Sequence, residues 1–325
     1  MKLAGFMWLA VLSSSELKRG ESLGVRRLGL DLVFWRDESG RINALLDDCP
    51  HRRAKLSLGK VVGNNIQCPY HGFEFSGSGS VVKIPALGSV SEMPKYLKAS
   101  PIPVHEDYGI IWIWYGNRNP SDSPRFFSDM KGLTVYSEYG EVWNVSLPRA
   151  IENQLDVFHL PFVHYNTIGR GGRTLVNGPL VKIIDEHSFI VYPFDEVDKG
   201  QKPLRSNQID AGKLRNYLWF IYPNIWENYI SHNMRIIAFF APIDLSSTKI
   251  YIRLYMDVTK VKIIDKALIK LLMPFNIYVL HQDRRIVLTQ NNNVKHDKLI
   301  HADYPIALYR KMYLSDTELS KFITH

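Results

Sequence analysis

Between Gly24 and about Tyr115 the apolar residues come in short runs cut by turn formers, which predicts strands rather than helices. Residues 30–35 (LDLVFW) form a β-rich run, Asp37-Glu38-Ser39-Gly40 reads as a polar turn, and residues 42–46 give a second strand. Further strands are expected at residues 66–68, 81–84 and 110–114, together a small all-β domain. The polar stretch at residues 116–124, rich in Asn, Ser and Pro, then marks a domain boundary. We place the domains at residues 1–118 and 119–325. In the second, residues 148–159 predict a helix and residues 179–258 return to strands, among them 235–240 and 249–255. Residues 263–288 show helical spacing, interrupted by Pro274. The class is α+β, with no internal repeat and no low-complexity tract.

The chain start admits two readings. Met1-Lys2, the apolar run from Leu3 to Leu12 and three serines imitate a short signal peptide. The other reading, which we adopt, is an ordinary strand followed by a serine-capped segment, Ser14-Ser15-Glu16-Leu17-Lys18, in a cytoplasmic protein.

A length of 325 residues suits two domains, and a 46% hydrophobic content excludes intrinsic disorder. Apolar runs fall short of the roughly 20 residues that cross a bilayer. The net charge is +8, but the basic residues are scattered and no nucleic-acid motif accompanies them, so DNA and RNA are not expected as partners. A basic face that attracts an acidic electron-transfer partner or an anionic substrate stays open.

Two cysteines cannot build a disulfide framework, but each is followed closely by a histidine. Cys49-Pro50-His51 and Cys68-Pro69-Tyr70-His71 make the pattern C-x-H, sixteen residues, C-x-x-H. Zinc fingers usually take two cysteines from one hairpin and two histidines from a helix. Here each loop supplies one thiolate and one imidazole, which suits a Rieske [2Fe–2S] cluster with its ligands sorted by iron. Neutral imidazoles on one iron lower the negative charge and raise the potential, to roughly −150 to +300 mV. Pro50, Pro69 and Gly72 favour tight loops whose N–H groups can reach cluster sulfurs.

The second informative segment runs from Glu152 to His164. Asn153, Asp156 and His159 are spaced three apart, along one face of the expected helix, and Pro161 should end or bend that helix and swing His164 back. Two histidines and a carboxylate with open positions make the facial triad of non-haem iron oxygenases.

Cys49-Pro50-His51-Arg52 with Leu56-Ser57-Leu58-Gly59, then Cys68-Pro69-Tyr70-His71-Gly72-Phe73 and Ile84-Pro85, resemble the Rieske domain of ring-hydroxylating and demethylating oxygenases. The spacing D-x2-H-x4-H of Asp156, His159 and His164 resembles the iron-binding pattern of the same family's α subunits. This resemblance implies a Rieske [2Fe–2S] domain followed by a helix-grip catalytic domain built on an antiparallel sheet. It implies Cys49, His51, Cys68 and His71 as cluster ligands and His159 and His164 on a mononuclear Fe(II). The third ligand comes from an acidic residue on a late helix before a glutamine-rich stretch. His281-Gln282-Asp283 fits, making Asp283 the candidate and Asp265 a weaker one.

The resemblance also implies a head-to-tail homotrimer. In it Asp156 bridges His71 or His51 of one subunit to His159 of the next, since cluster and iron within one chain lie too far apart for efficient electron transfer. Asn153 takes a position near the iron. Partners are then a reductase, with or without a ferredoxin, that delivers electrons from NAD(P)H, together with O2 and a small organic substrate. The flanks look closer to vanillate- and dicamba-type demethylases, so monooxygenation of a ring or methyl group is expected ahead of dihydroxylation. Phe162, Trp226, Tyr229 and Phe239 are candidates to line an apolar pocket. Two alternatives stand beside this reading: a Rieske electron carrier or redox sensor without oxygenase activity, and a structural zinc protein.

Overall fold

The computed structural model describes residues 7–88, 91–116, 119–120, 122–130 and 132–315. They fall into two compact units, one ending at Pro124 and the other starting at Arg125.

The first unit is all β. Strand β1 (Met7–Ser13) pairs with β10 (Ile110–Tyr115), which pairs with β9 (Val104–Asp107). A second sheet joins β2 (Ser22–Arg27), β3 (Leu30–Arg36) and β4 (Ile42–Leu46). A third runs β5 (Lys60–Val62), β6 (Asn65–Gln67), β7 (Glu74–Phe75) and β8 (Val81–Lys83). The unbroken apolar run of β3 follows from burial on both faces: Leu32 to Trp35 are all buried. The N-terminal run is likewise a strand from Met7, closed by a capping box in which Ser13 accepts from Ser15 and Glu16 accepts the Ser13 N–H. Leu3 to Phe6 lie outside the described residues, as do Asn117, Arg118 and Ser121 of the boundary stretch. Trp8 Nε1 donates to the Asp122 carbonyl at 2.8 Å, which ties that stretch to the first unit as far as Pro124, a little beyond the 118/119 division.

The second unit is built on an antiparallel sheet of seven strands. Between β11 (Tyr136–Trp143) and the sheet's next strand the chain makes α1 (Leu147–Leu155), α2 (Leu160–Val163) and β12 (Leu175–Val176). Then follow β13 (Leu180–Asp185), β14 (Ser188–Tyr192), β15 (Asp195–Glu196), β16 (Tyr217–Ile221), β17 (Ile225–Ser231), β18 (Met234–Pro242) and β19 (Thr248–Met256). The sheet order is β11-β19-β18-β17-β16-β14-β13, and β12 pairs with β15 apart from it. Helix α3 (Lys262–Val287) packs on β11 and β19, and α4 (Tyr304–Ser315) packs on α1. Arg149 of α1 pairs with Asp297, and Arg310 of α4 with both Glu152 and Asp297, a shared, partly buried network that ties α4 to α1.

Two expectations change here. The helix expected over 148–159 stops at Leu155, so Asn153, Asp156 and His159 do not share one helical face. The Asp156 carboxylate accepts the N–H groups of Phe158 and His159, an Asx turn that competes with helix continuation. Pro161, expected to end a helix, instead sits in the first turn of α2, where its missing N–H and fixed φ favour a start.

Candidate metal centres

In the first unit two loops are closed in the same way. The Arg53 N–H returns to the Cys49 carbonyl at 2.8 Å, and the Gly72 N–H to the Cys68 carbonyl at 3.1 Å. Each closing residue has a positive φ, 60° at Arg53 and 72° at Gly72, the second being a position that glycine suits. Cys49 and Cys68 are buried in the core cluster that also holds Leu45, Ile66 and Phe75, while His51 and His71 are exposed with ring centroids 4.7 Å apart. His51 also stacks on Phe73 at 4.6 Å.

Burial pushes the Cys49 thiol up to about 11; the His51 backbone N–H pulls it down, and the adjacent Cys68 thiol pushes it further up. Two free thiols side by side in a dry place, with a pair of imidazoles on the same two loops, are poorly satisfied on their own. They are what two cations would satisfy, because a bound cation turns a coordinating thiol into a thiolate. The donor set fits a [2Fe–2S] cluster with Cys49 and Cys68 on one iron and His51 and His71 on the other.

In the second unit, the single turn of α2 explains the five-residue spacing: His159 stands just before it and His164 just after. Their Nε2 atoms come within 3.3 Å. Asp283, about one turn after the buried Leu280 of α3, brings Oδ1 to 3.2 Å from His159 Nε2 and 2.9 Å from His164 Nε2. Among the described residues these three form the one group of His, Cys, Asp or Glu whose ligand atoms all lie within 4.8 Å. Burial would lower the pKa of His159, but Asp156 and Asp283 hold it up, at about 9; burial of Asp283 is outweighed by the two histidines, which keep its carboxyl below the usual range. The carboxylates thus favour a positive charge at this spot, and the two-histidine, one-carboxylate set suits Fe(II) with open positions. Asp265 serves otherwise: from the first turn of α3 it ties down the preceding loop, accepting the Val258 and Thr259 N–H groups, eighteen residues before Asp283.

Two residues that sequence reasoning missed set up His164. Gln282 Oε1 accepts from His164 Nδ1 at 2.9 Å and from the Thr167 hydroxyl at 2.7 Å, and its Nε2 donates to Asn166 Oδ1 at 2.7 Å. With the proton on Nδ1, the Nε2 lone pair points at the group shared with His159 and Asp283. Gly169 matters by its size: a Cβ there would stand 1.8 Å from the Leu160 carbonyl oxygen and 3.0 Å from that of His164. Gln282 stands beside Asp283 in the sequence, but no spacing announces either role.

A cavity of about 390 Å3 adjoins the three ligand side chains. Trp226 lines it, but Phe162, Tyr229 and Phe239 do not. Strand alternation separates Tyr229 and Phe239 from Trp226: Tyr229 stacks on Tyr217 and Phe239 on Tyr251, on the far face of the sheet, while Phe162 is exposed. Asn153 lines the cavity, and its Nδ2 has no hydrogen-bond partner. Asp156 lines it too, its Oδ1 lying 3.6 Å from His159 Nδ1, beyond a hydrogen bond. Asp195, which no sequence pattern marks, joins them with a partnerless Oδ1. Burial pushes its carboxyl up to about 6, Arg173 pulling it down and Asp156 raising it.

A β unit with two thiols and two imidazoles, and an antiparallel sheet unit with two histidines and a carboxylate, are the parts of a Rieske-type non-haem iron oxygenase. Residues 7–96 match the Rieske [2Fe-2S] domain family and residues 143–313 match the vanillate O-demethylase oxygenase C-terminal domain, and the chain belongs to the Rieske oxygenases that carry this C-terminal domain. It is 34% identical over 165 residues to chlorophyllide a oxygenase of Chlamydomonas reinhardtii, covering 50% of this chain and 25% of that one. It is also 34% identical over 161 residues to the dicamba O-demethylase oxygenase component of Stenotrophomonas maltophilia, covering 48% and 46%. The matches thus span less than half of either relative. The NdmA structure from Pseudomonas putida with caffeine superposes with a TM-score of 0.74 at 24% identity, covering 98% of this chain and 94% of that one, a likeness of fold.

Proposed function

We propose that this protein is the terminal oxygenase component of a Rieske system, which hydroxylates or oxidatively demethylates a cyclic organic substrate. The observation that carries the reading is the convergence of His159, His164 and Asp283 within 4.8 Å at the wall of a 390 Å3 cavity. In this reading Cys49, His51, Cys68 and His71 hold the [2Fe–2S] cluster, and the three cavity residues hold Fe(II). The bound iron would supply O2 activation, with electrons arriving from NAD(P)H through a reductase.

The chain's own residues do the rest. Gln282 fixes the His164 tautomer, and Asp156 fixes the His159 backbone through its two accepted N–H groups. Leu218, Ile236 and Ile252 give the cavity an apolar wall that excludes water from a ring. Trp226 Nε1, Asn153 Nδ2 and Asp195 Oδ1 are buried polar atoms without partners around that wall, two donors and one acceptor for the heteroatoms of a substrate. Relatives named as demethylases of dicamba and of methylxanthine support demethylation as the branch. On family resemblance we further propose a head-to-tail trimer in which Asp156 meets a cluster histidine of the neighbour, in a cytoplasmic setting that keeps thiols reduced.

Iron analysis with EPR on anaerobically purified protein and on Asp283→Ala tests this. About three irons per chain, falling to about two with the Rieske signal intact, is expected. About two in both preparations after Fe(II) reconstitution would make the protein an electron carrier, and zinc with no visible band would remove the Rieske reading.

A further inference from the structure

Helix α3 carries two apolar faces. One packs on the sheet through buried Ile269, Met273 and Leu280. The other looks outward: Ile263, Leu271, Phe275 and Tyr278 recur at helical spacing on the opposite side, with Ile263 83% and Leu271 75% exposed. Single exposed apolar residues are ordinary, but a stripe several turns long marks a surface that something covers. Exposed Lys266 and Lys270 run along one edge of it. The helix's two acidic residues, Asp265 and Asp283, are both buried, so the outward face carries no negative charge.

We propose that this face docks on an anionic membrane surface, lying in the interface without spanning it. An apolar stripe edged with lysines is the pattern of an interfacial helix, its apolar residues entering the headgroup boundary and its cations meeting anionic lipid. No helix among the described residues is long and apolar enough to cross a membrane. The stripe also leads to the cavity. Tyr278 accepts a hydrogen bond from Asn166 at 3.5 Å, and its neighbours Asn276 and Val279 line the cavity wall. Docking therefore brings the rim of the cavity to the lipid, a position suited to a lipophilic substrate.

The test is flotation of the full chain with vesicles of phosphatidylglycerol and phosphatidylcholine, against phosphatidylcholine alone. The protein should float with the anionic vesicles and be released by high salt. Leu271→Glu/Phe275→Glu should reduce flotation to the neutral-vesicle level while circular dichroism stays that of the parent. Lys266→Ala/Lys270→Ala, which leaves the stripe intact, should weaken partition about thirtyfold. The proposal fails if the parent floats with neither vesicle, or if both variants float as the parent does. It also fails if the glutamate variant changes only the oligomeric state in light scattering, which would make the stripe a contact between copies.

Discussion

Replacing Gln282 with Ala removes three hydrogen bonds at once, and the one to His164 bears on metal affinity. The His164 ring is 1% exposed, so water cannot take the place of the lost acceptor at Nδ1. A buried N–H left without a partner costs about 1–3 kcal/mol. At 1.4 kcal/mol per factor of ten that is about 5–150-fold, consistent with the roughly 10–100-fold general for lost outer hydrogen bonds at metal sites. We expect Gln282→Ala to weaken Fe(II) binding by about 10–100-fold, read by anaerobic titration against a chromophoric chelator. Cluster absorbance should not change, since its four candidate ligands lie in the other unit. Gln282→Glu keeps an acceptor for both His164 and Thr167, and should return most of the affinity. Parent-like binding by Gln282→Ala would refute the argument; so would a loss that Glu does not recover.

Two further predictions follow from geometry and burial. Gly169→Ala, whose Cβ would meet the Leu160 carbonyl at 1.8 Å, must displace α2; mononuclear iron should be lost in metal analysis while the Rieske spectrum survives. Glu227 has no exposed surface, and burial together with Asp129 pushes its pKa up to about 8 from 4.5, against the pull of Arg235 at 3.0 Å. Its folded-state pKa being raised, the stabilisation is full below about pH 4.5 and is lost as pH rises through about 8; Glu227→Gln should flatten that decline in thermal melts across the window, and an unchanged slope would exclude Glu227 as its source.

The cluster loops were legible because their chemistry is local: each thiol and its imidazole lie within four residues, and nothing distant is needed to bring them together. The α2 turn was legible only in part. The spacing of His159 and His164 is in the sequence, but the end of α1 at Leu155 is set by the Asp156 carboxylate taking two backbone N–H groups, and helical periodicity is blind to that. The strands that were given bounds lie within two residues of those observed, but β11 at the edge of the large sheet was not expected, and the facing of the strands was not used. Parity alone puts Trp226 and Tyr229 of β17 on opposite sides, and one of them was therefore bound to miss the cavity. Gln282 and Asp195 were illegible for a different reason: their partners, His164, Asn166 and Arg173, lie far along the chain and meet them only through tertiary packing.

Asp283 and Gln282 are consecutive on α3, about 100° apart, and each serves a separate end of the same imidazole. A ligand and the clamp for its neighbour therefore share one peptide bond. A slip of one residue between Leu280 and this pair would rotate both away together, and no single substitution elsewhere could bring back either one. A change of register in this turn of α3 therefore costs both roles in one step, whereas a substitution at either position costs only one of them.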